Sequence, residues 1–255
     1  MEDKRYVQSI LRAAAVLECF SERKPSLKLT DIAQQMGLNK STVHGIVDTL
    51  RHLGLLDQDP DTQQYRLGTR LIRYGTIAEA SLDIIAIARP QMERLCAAVQ
   101  ETVHLAVLQG LEIVYIDKIE TSQSMRIATA RGSRNPAYCT GVGKVLLAYA
   151  PESTRTDLFK SERPQLTGRT NTEEGKMRAE YDVIRSQGYA TDRDEIEIGL
   201  SCIAMPIHEY NGEVRYSMSI SGPSIRMTEE RFPALQAELR QAVRQVERQL
   251  GYTRG

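Results

Sequence analysis

Leu29-Thr30-Asp31-Ile32-Ala33-Gln34-Gln35-Met36-Gly37-Leu38-Asn39-Lys40-Ser41-Thr42-Val43-His44-Gly45-Ile46-Val47-Asp48-Thr49-Leu50 is the stretch on which the reading of this chain turns. In its first part Thr30 is placed to cap a short helix, Asp31 suits the positive end of that helix, and Gly37 can stop it. Asn39 then offers a good N-cap for a second helix, in which Val43, Ile46, Val47 and Leu50 recur at the spacing of one helical face. The opposite face shows Lys40, Ser41, Thr42, His44, Gly45 and Thr49. A short helix, a glycine turn and a second helix with a small, hydrogen-bonding outer face form the helix-turn-helix arrangement, whose second helix enters the DNA major groove. There the hydroxyls meet base edges or phosphates, Lys40 neutralises a phosphate, and Gly45 lets the backbone come close. No arginine on this face offers the bidentate guanine contact, so each contact is modest. The same pattern also describes an ordinary solvated helix on a small bundle.

The flanking sequence extends the first reading. Before the stretch, Val7, Ile10, Leu11, Ala14 and Leu17 mark an amphipathic helix from Val7 to Phe20, followed by a polar segment with Pro25. After it, Leu53-Gly54-Leu55-Leu56 ends the helix and begins a strand, Asp59-Pro60-Asp61-Thr62 is turn chemistry, and Gln63-Gln64-Tyr65-Arg66-Leu67 alternates as a return strand. That hairpin is a wing. Its acidic tip suits phosphate poorly, so Gln63, Gln64 and Arg66 are expected to matter more than the turn. From Thr69 to about Ile87, Leu71, Ile72, Ile77, Leu82, Ile84 and Ile85 give a helix too apolar to lie alone in water. Its stripe either pairs with a second copy of the chain or is buried as a tether within one chain. Pro90 is expected to break or restart the helix, and Met92, Leu95, Cys96 and Val99 form a new face.

The rest reads as mixed helix and sheet. Thr102 to Leu108 and Glu112 to Ile119 alternate around Gln109-Gly110 as a hairpin, and Ser124 to Ala130 is a third strand candidate. Cys139-Thr140-Gly141-Val142-Gly143-Lys144 opens a helix. It is no phosphate loop, because Tyr138 stands where that motif needs glycine and Val145 where it needs Ser or Thr. What survives is a helix start with backbone amides beside glycines, suited to a carboxylate, or alternatively glycines that serve close packing on a sheet. Glu173 to Gln187 is a helix with Met177, Tyr181 and Ile184 on its face, ended by Gly188. Leu200 to His208 and Val214 to Ser221 pair around Asn211-Gly212. In the return strand Tyr216, Met218 and Ile220 face one way and Arg215, Ser217, Ser219 and Ser221 the other. Unaided, the serine face reads as solvent-facing; against a cavity it would offer a row of hydroxyls. Phe232 to Leu250 is a final amphipathic helix ended by Gly251.

Composition sets outer bounds. The chain has 255 residues, with 33 basic and 33 acidic side chains and no net charge, so no global field draws it to nucleic acid or an acidic membrane. No apolar run approaches the roughly 18 residues that cross a bilayer, and the first residues lack a secretory signal, which predicts a cytoplasmic protein. Cys19, Cys96, Cys139 and Cys202 are scattered, with no zinc spacing and no disulfide framework. No cofactor and no metal are expected; Asp192 with Cys202 makes too few ligands.

The order of these segments, with Leu29-Thr30-Asp31-Ile32-Ala33, Lys40-Ser41-Thr42-Val43-His44, Gly141-Val142-Gly143-Lys144, Gly199-Leu200-Ser201-Cys202-Ile203-Ala204-Met205-Pro206-Ile207 and Ser219-Ile220-Ser221-Gly222-Pro223, resembles the IclR family of bacterial transcriptional regulators. The resemblance implies an α+β chain: a winged helix-turn-helix over residues 1–68, a linker helix over 69–82 and a GAF-like effector-binding domain over 83–255. It implies a double-stranded DNA operator as partner, dimers that often pair further, and a small organic acid as effector, with repression as the usual vocabulary. Carried over by position, the effector would meet Ile127, Asn135, Gly141, Val142, Asp192, Leu200, Cys202, Ser219 and Ser221. Asn135 and Val142 depart from the apolar residue and the alanine of glyoxylate-binding members, making one wall more polar and the other bulkier. The alternative from another class is a cysteine-dependent enzyme acting on a small carboxylate through Cys202, with Asp192 or His208 nearby.

Overall fold

In the computed structural model, which describes residues 6–21, 23–80, 83–125, 127 and 129–253 and no side chains at 78–80, the chain divides into two units, Met1–Leu82 and Asp83–Gly255. The architecture is α+β.

The first unit opens with α1 (Gln8–Glu18) and β1 (Ser26–Leu27), continues through α2 (Leu29–Met36) and α3 (Lys40–His52), and adds β2 (Leu56–Gln58), β3 (Tyr65–Leu67) and α4 (Arg70–Ala80). Val16, Ile32, Val43, Val47 and Leu56 are fully buried at its centre. The cap of α2 differs from expectation. Thr30 lies inside the helix, and the Asp31 carboxylate accepts the Lys28 N–H at 3.2 Å, so the acid closes the helix start. Gly37 stops α2 at φ 63°. β1 arises in the segment read as merely polar, because Ser26 and Leu27 pair with Arg66 and Tyr65 of β3.

In place of one helix from Thr69 to Ile87, α4 ends at Ala80 and α5 (Ile84–Val99) starts at Asp83, whose carboxylate accepts the Ile85 and Ala86 N–H groups. Leu82 lies outside the described residues. Pro90 does not break α5. Ala88, Met92, Leu95, Cys96 and Val99 are buried along that helix, and their burial outweighs the roughly 3 kcal/mol an interior proline costs.

The second unit continues with β4 (Thr102–Gln109), β5 (Glu112–Ile119), β6 (Arg134–Pro136), a short 3₁₀ turn (Ala137–Cys139), α6 (Gly141–Tyr149), α7 (Glu152–Lys160), α8 (Glu174–Gln187), β7 (Ala190–Arg193), β8 (Leu200–His208), β9 (Val214–Pro223) and α9 (Phe232–Gln249). The strands form one antiparallel sheet in the order β6-β5-β4-β9-β8-β7. The strand expected at Ser124 to Ala130 is absent among the described residues there. The Lys118 ammonium holds the Ile127 and Thr129 carbonyls instead, and Arg134–Pro136 takes the place beside β5.

Strand alternation sorts the sheet into two faces. Val103, Leu105, Ile203, Met205, Met218 and Ile220 pack with α5 and α9 in one core. Ala106 and Ala204 belong to the other core, with α6 and α8. His104, Cys202, Ser219 and Ser221 share that second face, and none of them is solvent-facing. The solvent-facing reading of the serine row therefore fails, because α6 covers the strand.

Candidate functional site

Two surfaces carry the residues singled out by sequence. The first is α3. Asn39 Oδ1 accepts the Thr42 N–H at 2.9 Å and the Ser41 hydroxyl at 2.9 Å, fixing the helix start. With Val43, Val47 and Leu50 buried, Lys40, Ser41, His44, Gly45 and Thr49 are exposed and Thr42 is half-buried. A β-carbon added at Gly45 would meet nothing within 4 Å, so packing does not demand glycine there. The Thr49 hydroxyl donates to the Gly45 carbonyl at 2.7 Å.

In the wing, Asp59 Oδ1 accepts from the Asp61 and Thr62 N–H groups and from the Thr62 hydroxyl, which holds its carboxyl below the usual range. Gln63 differs from expectation: its amide donates to the Pro60 carbonyl and accepts from Gln58, so it builds the turn. Arg66 is exposed. Tyr6, Val7 and Ile10 at α1, and Ile72 and Ile77 on α4, are exposed apolar side chains.

The second surface is a cavity of about 430 Å³ in the second unit, and Ile127, Asn135, Gly141, Val142, Asp192, Leu200, Cys202, Ser219 and Ser221 all line it. Sheet register explains much of this. Asp192 pairs across to Cys202 and Cys202 to Ser221, while Ser219 pairs to His104, so two polar rows cross the α6 face of the sheet. α6 closes the cavity from above. Its glycines are required by contact: a β-carbon at Gly141 would lie 2.4 Å from Cys202 Sγ, and one at Gly143 would lie 2.2 Å from the Ala137 carbonyl oxygen. The close-packing reading on the sheet thus holds for Gly141, while Gly143 packs on the 3₁₀ turn. The Thr140 hydroxyl accepts the Gly143 N–H at 3.2 Å and the Thr140 carbonyl accepts the Lys144 N–H at 2.8 Å, so the amide-rich helix start narrows to Gly141 and Val142.

Lys144, the last residue of the glycine string, turns away from this lining and is buried between Glu180 and Glu195, at 2.6 and 2.5 Å. Those partners lie 36 and 51 residues along the chain, beyond any local motif. Among the described residues, the lining contains no Lys or Arg. Asp192 accepts the Glu195 N–H at 2.8 Å, yet burial pushes its carboxyl up to about 7. His104, which the sequence reading missed, is buried against the Tyr115 ring at 4.7 Å, with Nε2 2.7 Å from the Thr129 hydroxyl. Burial and then the Lys118 charge hold it down to about 3, so it is neutral. Strand alternation in β4, which places residue 104 on the same side as Ala106, was the signal that could have found it.

Cys202 is a wall of this cavity and a poor nucleophile. Burial and the Asp192 charge push its thiol up to about 12, and the N–H groups of Gly141 and Asp192 offset this only in part. His208 is engaged elsewhere, with Nδ1 2.6 Å from Glu247. Among the described residues no three His, Cys, Asp or Glu side chains gather as a metal site, and no helix is long and apolar enough to cross a membrane.

Comparison with known proteins points the same way. A family model for the "Bacterial transcriptional regulator IclR C-terminal" matches residues 77–248, and one for the "IclR helix-turn-helix domain" matches residues 9–60. The HTH-type transcriptional regulator KdgR of Escherichia coli is 35% identical over 96% of this chain and 94% of its own. The crystal structure of the Agobacterium tumefaciens repressor BlcR superposes with a TM-score of 0.81 at 26% identity, over 97% of this chain and 99% of that one. An IclR homolog from Microbacterium hydrocarbonoxydans complexed with 4-hydroxybenzoate matches with a TM-score of 0.61 at 27% identity, over 95% and 99%.

Proposed function

The chain belongs to the IclR family of bacterial transcriptional regulators, and from that premise we propose that a small organic acid bound in the cavity of the second unit controls the affinity of the first unit for its operator. The protein is a DNA-binding transcriptional regulator and not a cysteine enzyme. What carries the effector reading is the cavity: walled-in hydroxyls, a neutral histidine and the first amides of α6 surround a space lined, among the described residues, by no Lys or Arg. Such a site binds a carboxylate through neutral donors, with Asp192 protonated when the ligand sits beside it. The neighbour described with 4-hydroxybenzoate, itself a carboxylate, supports this class.

On the DNA side, Lys40, Ser41, Thr42, His44, Gly45 and Thr49 contact the major groove, and the exposed apolar residues of α1 and α4 join two copies. A two-fold dimer places its recognition helices about 34 Å apart, and the effector acts by shifting that spacing through the linker helix over 69–82. Repression in the cytoplasm is the mode of action proposed, in line with the repressor named among the neighbours.

The test pairs calorimetric titration of a carboxylate panel with gel shifts on the DNA upstream of the protein's own gene. A bound acid should change operator affinity by about 5- to 150-fold, the usual range of coupling. Binding without such a change refutes effector control, and absence of any carboxylate binding refutes the cavity assignment.

A further inference from the structure

A second cleft of the second unit lies where β8 ends. It holds about 290 Å³ between the end of α8 (Arg185 to Gly188), the end of β8 (Met205, Pro206 and His208), Tyr149 and the α9 residues Arg240, Val243, Arg244 and Glu247. That is room on the order of ten water molecules. The effector cavity uses the start of β8 at Leu200 and Cys202 and the start of α6 at Gly141, whereas this cleft uses the opposite end of both elements. From Cys202 to His208 is roughly 20 Å along an extended strand.

The cleft is positively charged by construction. Arg185 is paired with Asp182 and donates to the Ala148 carbonyl, so its charge is answered. Arg240 and Arg244 are not. They sit four residues apart on one face of α9, so their β-carbons are about 6 Å apart, and among the described residues neither has an ion pair or a hydrogen bond. Among the described residues the one carboxylate lining the cleft, Glu247, is buried and committed to His208, with Oε1 3.1 Å from the His208 backbone N and 2.6 Å from Nδ1. The His208 ring is held in place, stacked on Tyr252 at 4.9 Å and edge-on to Tyr149 at 5.6 Å. With Nδ1 engaged, Nε2 is its other polar atom.

Two unanswered guanidinium groups beside a fixed imidazole match a tetrahedral oxyanion, because each guanidinium can present two parallel N–H donors to phosphate oxygens. We propose that this cleft is a second ligand site, which binds the phosphate group of a small phosphorylated metabolite between Arg240, Arg244 and His208. Free phosphate shares the recognition chemistry, and the extra volume accommodates the carbon skeleton of an ester.

Calorimetric titration of the full chain with glucose 6-phosphate and with inorganic phosphate, against glucose and against sodium chloride at matched ionic strength, tests the site. Saturable binding of one glucose 6-phosphate per chain is expected, weakened at least tenfold by Arg240→Gln with Arg244→Gln and unaffected by Arg248→Gln, which removes a charge from α9 outside the cleft. Unliganded melting temperatures of all variants confirm that each is folded. Inorganic phosphate binding as tightly as the ester would make the free ion the ligand and overturn the metabolite assignment. A response equalled by chloride, an equal loss in Arg248→Gln, or phosphate binding that appears only when residues 254 and 255 are deleted overturns the site.

Discussion

Gly141 and Cys202 meet so closely that a methyl group on the glycine would lie 2.4 Å from the thiol sulfur, with the Ala204 β-carbon 3.4 Å away. The start of α6 therefore rests directly on β8, and the position of its first amides depends on that contact. Gly141→Ala is expected to cost about 1 to 3 kcal/mol, the range for overpacking a filled interior. It should also abolish carboxylate binding, because α6 must lift. Cys202→Ala in the same chain removes the sulfur and should return most of the stability. Urea denaturation of the two single variants and the double variant measures the coupling, and an additive pair contradicts the account.

Lys40 and Asn39 are neighbours with opposite assignments. Asn39 is spent on the helix, accepting from Thr42 and Ser41, so Asn39→Ala should lower the stability of the first unit by about 1 kcal/mol. Lys40 is exposed at the start of α3 and contributes nothing comparable to the fold. Lys40→Ala should leave thermal stability unchanged, weaken binding to all DNA sequences alike, and flatten the dependence of log affinity on log salt by about 0.9. Thr42→Ala should weaken the operator more than nonspecific DNA. Gel shifts across a salt series separate these outcomes.

What the sequence disclosed follows from how local each feature is. Asn39, Gly37, Gly188 and Gly251 end or begin helices through contacts within a few residues, so they were readable from spacing alone. Gly110, at φ 65°, marks the hairpin for the same reason. β1 exists only because Tyr65 and Arg66 come to pair with it, and β6 only because β5 does. Neither has a pattern of its own. The serine row shows the limit most clearly: alternation correctly separated Ser219 and Ser221 from Met218 and Ile220, but the cover that makes their face interior is α6, more than 70 residues away.

Asp192 gives the protein a pH dependence of defined sign. Its carboxyl is pushed up to about 7 by burial, while in the unfolded chain it titrates near 3.9. Between those values the folded state binds more protons, so this group's contribution to stability falls as pH rises from about 4 to about 7 and is gone above that. Asp192→Asn keeps an oxygen for the Glu195 N–H and removes the titration. The variant should gain stability relative to the parent as pH rises through this window, up to a ceiling of about 4 kcal/mol. Carboxylate binding by the parent should weaken about tenfold per pH unit above 7 and lose that slope in the variant. Denaturation curves and titrations at pH 5, 7 and 8.5 decide both.

Lys144 offers the sharpest test of whether the glycine string serves the fold or the ligand. The ammonium is buried between Glu180 and Glu195, and burial raises the Glu195 carboxyl against the pull of Lys144. Lys144→Met fills the volume but strands the Glu195 carboxylate, one oxygen of which already lacks a hydrogen-bond partner. Breaking a buried pair from one side costs about 3 to 5 kcal/mol. The loss should shrink at acidic pH, where Glu195 takes up a proton, and shrink again when Glu195→Gln is combined with Lys144→Met at neutral pH. Because Glu195 begins the loop whose residues Ile196 to Gly199 line the cavity, the single variant should also weaken carboxylate binding while operator affinity without ligand stays unchanged. Loss of operator binding alongside intact carboxylate binding would mean that Lys144 acts on the DNA side, contrary to its burial within the second unit.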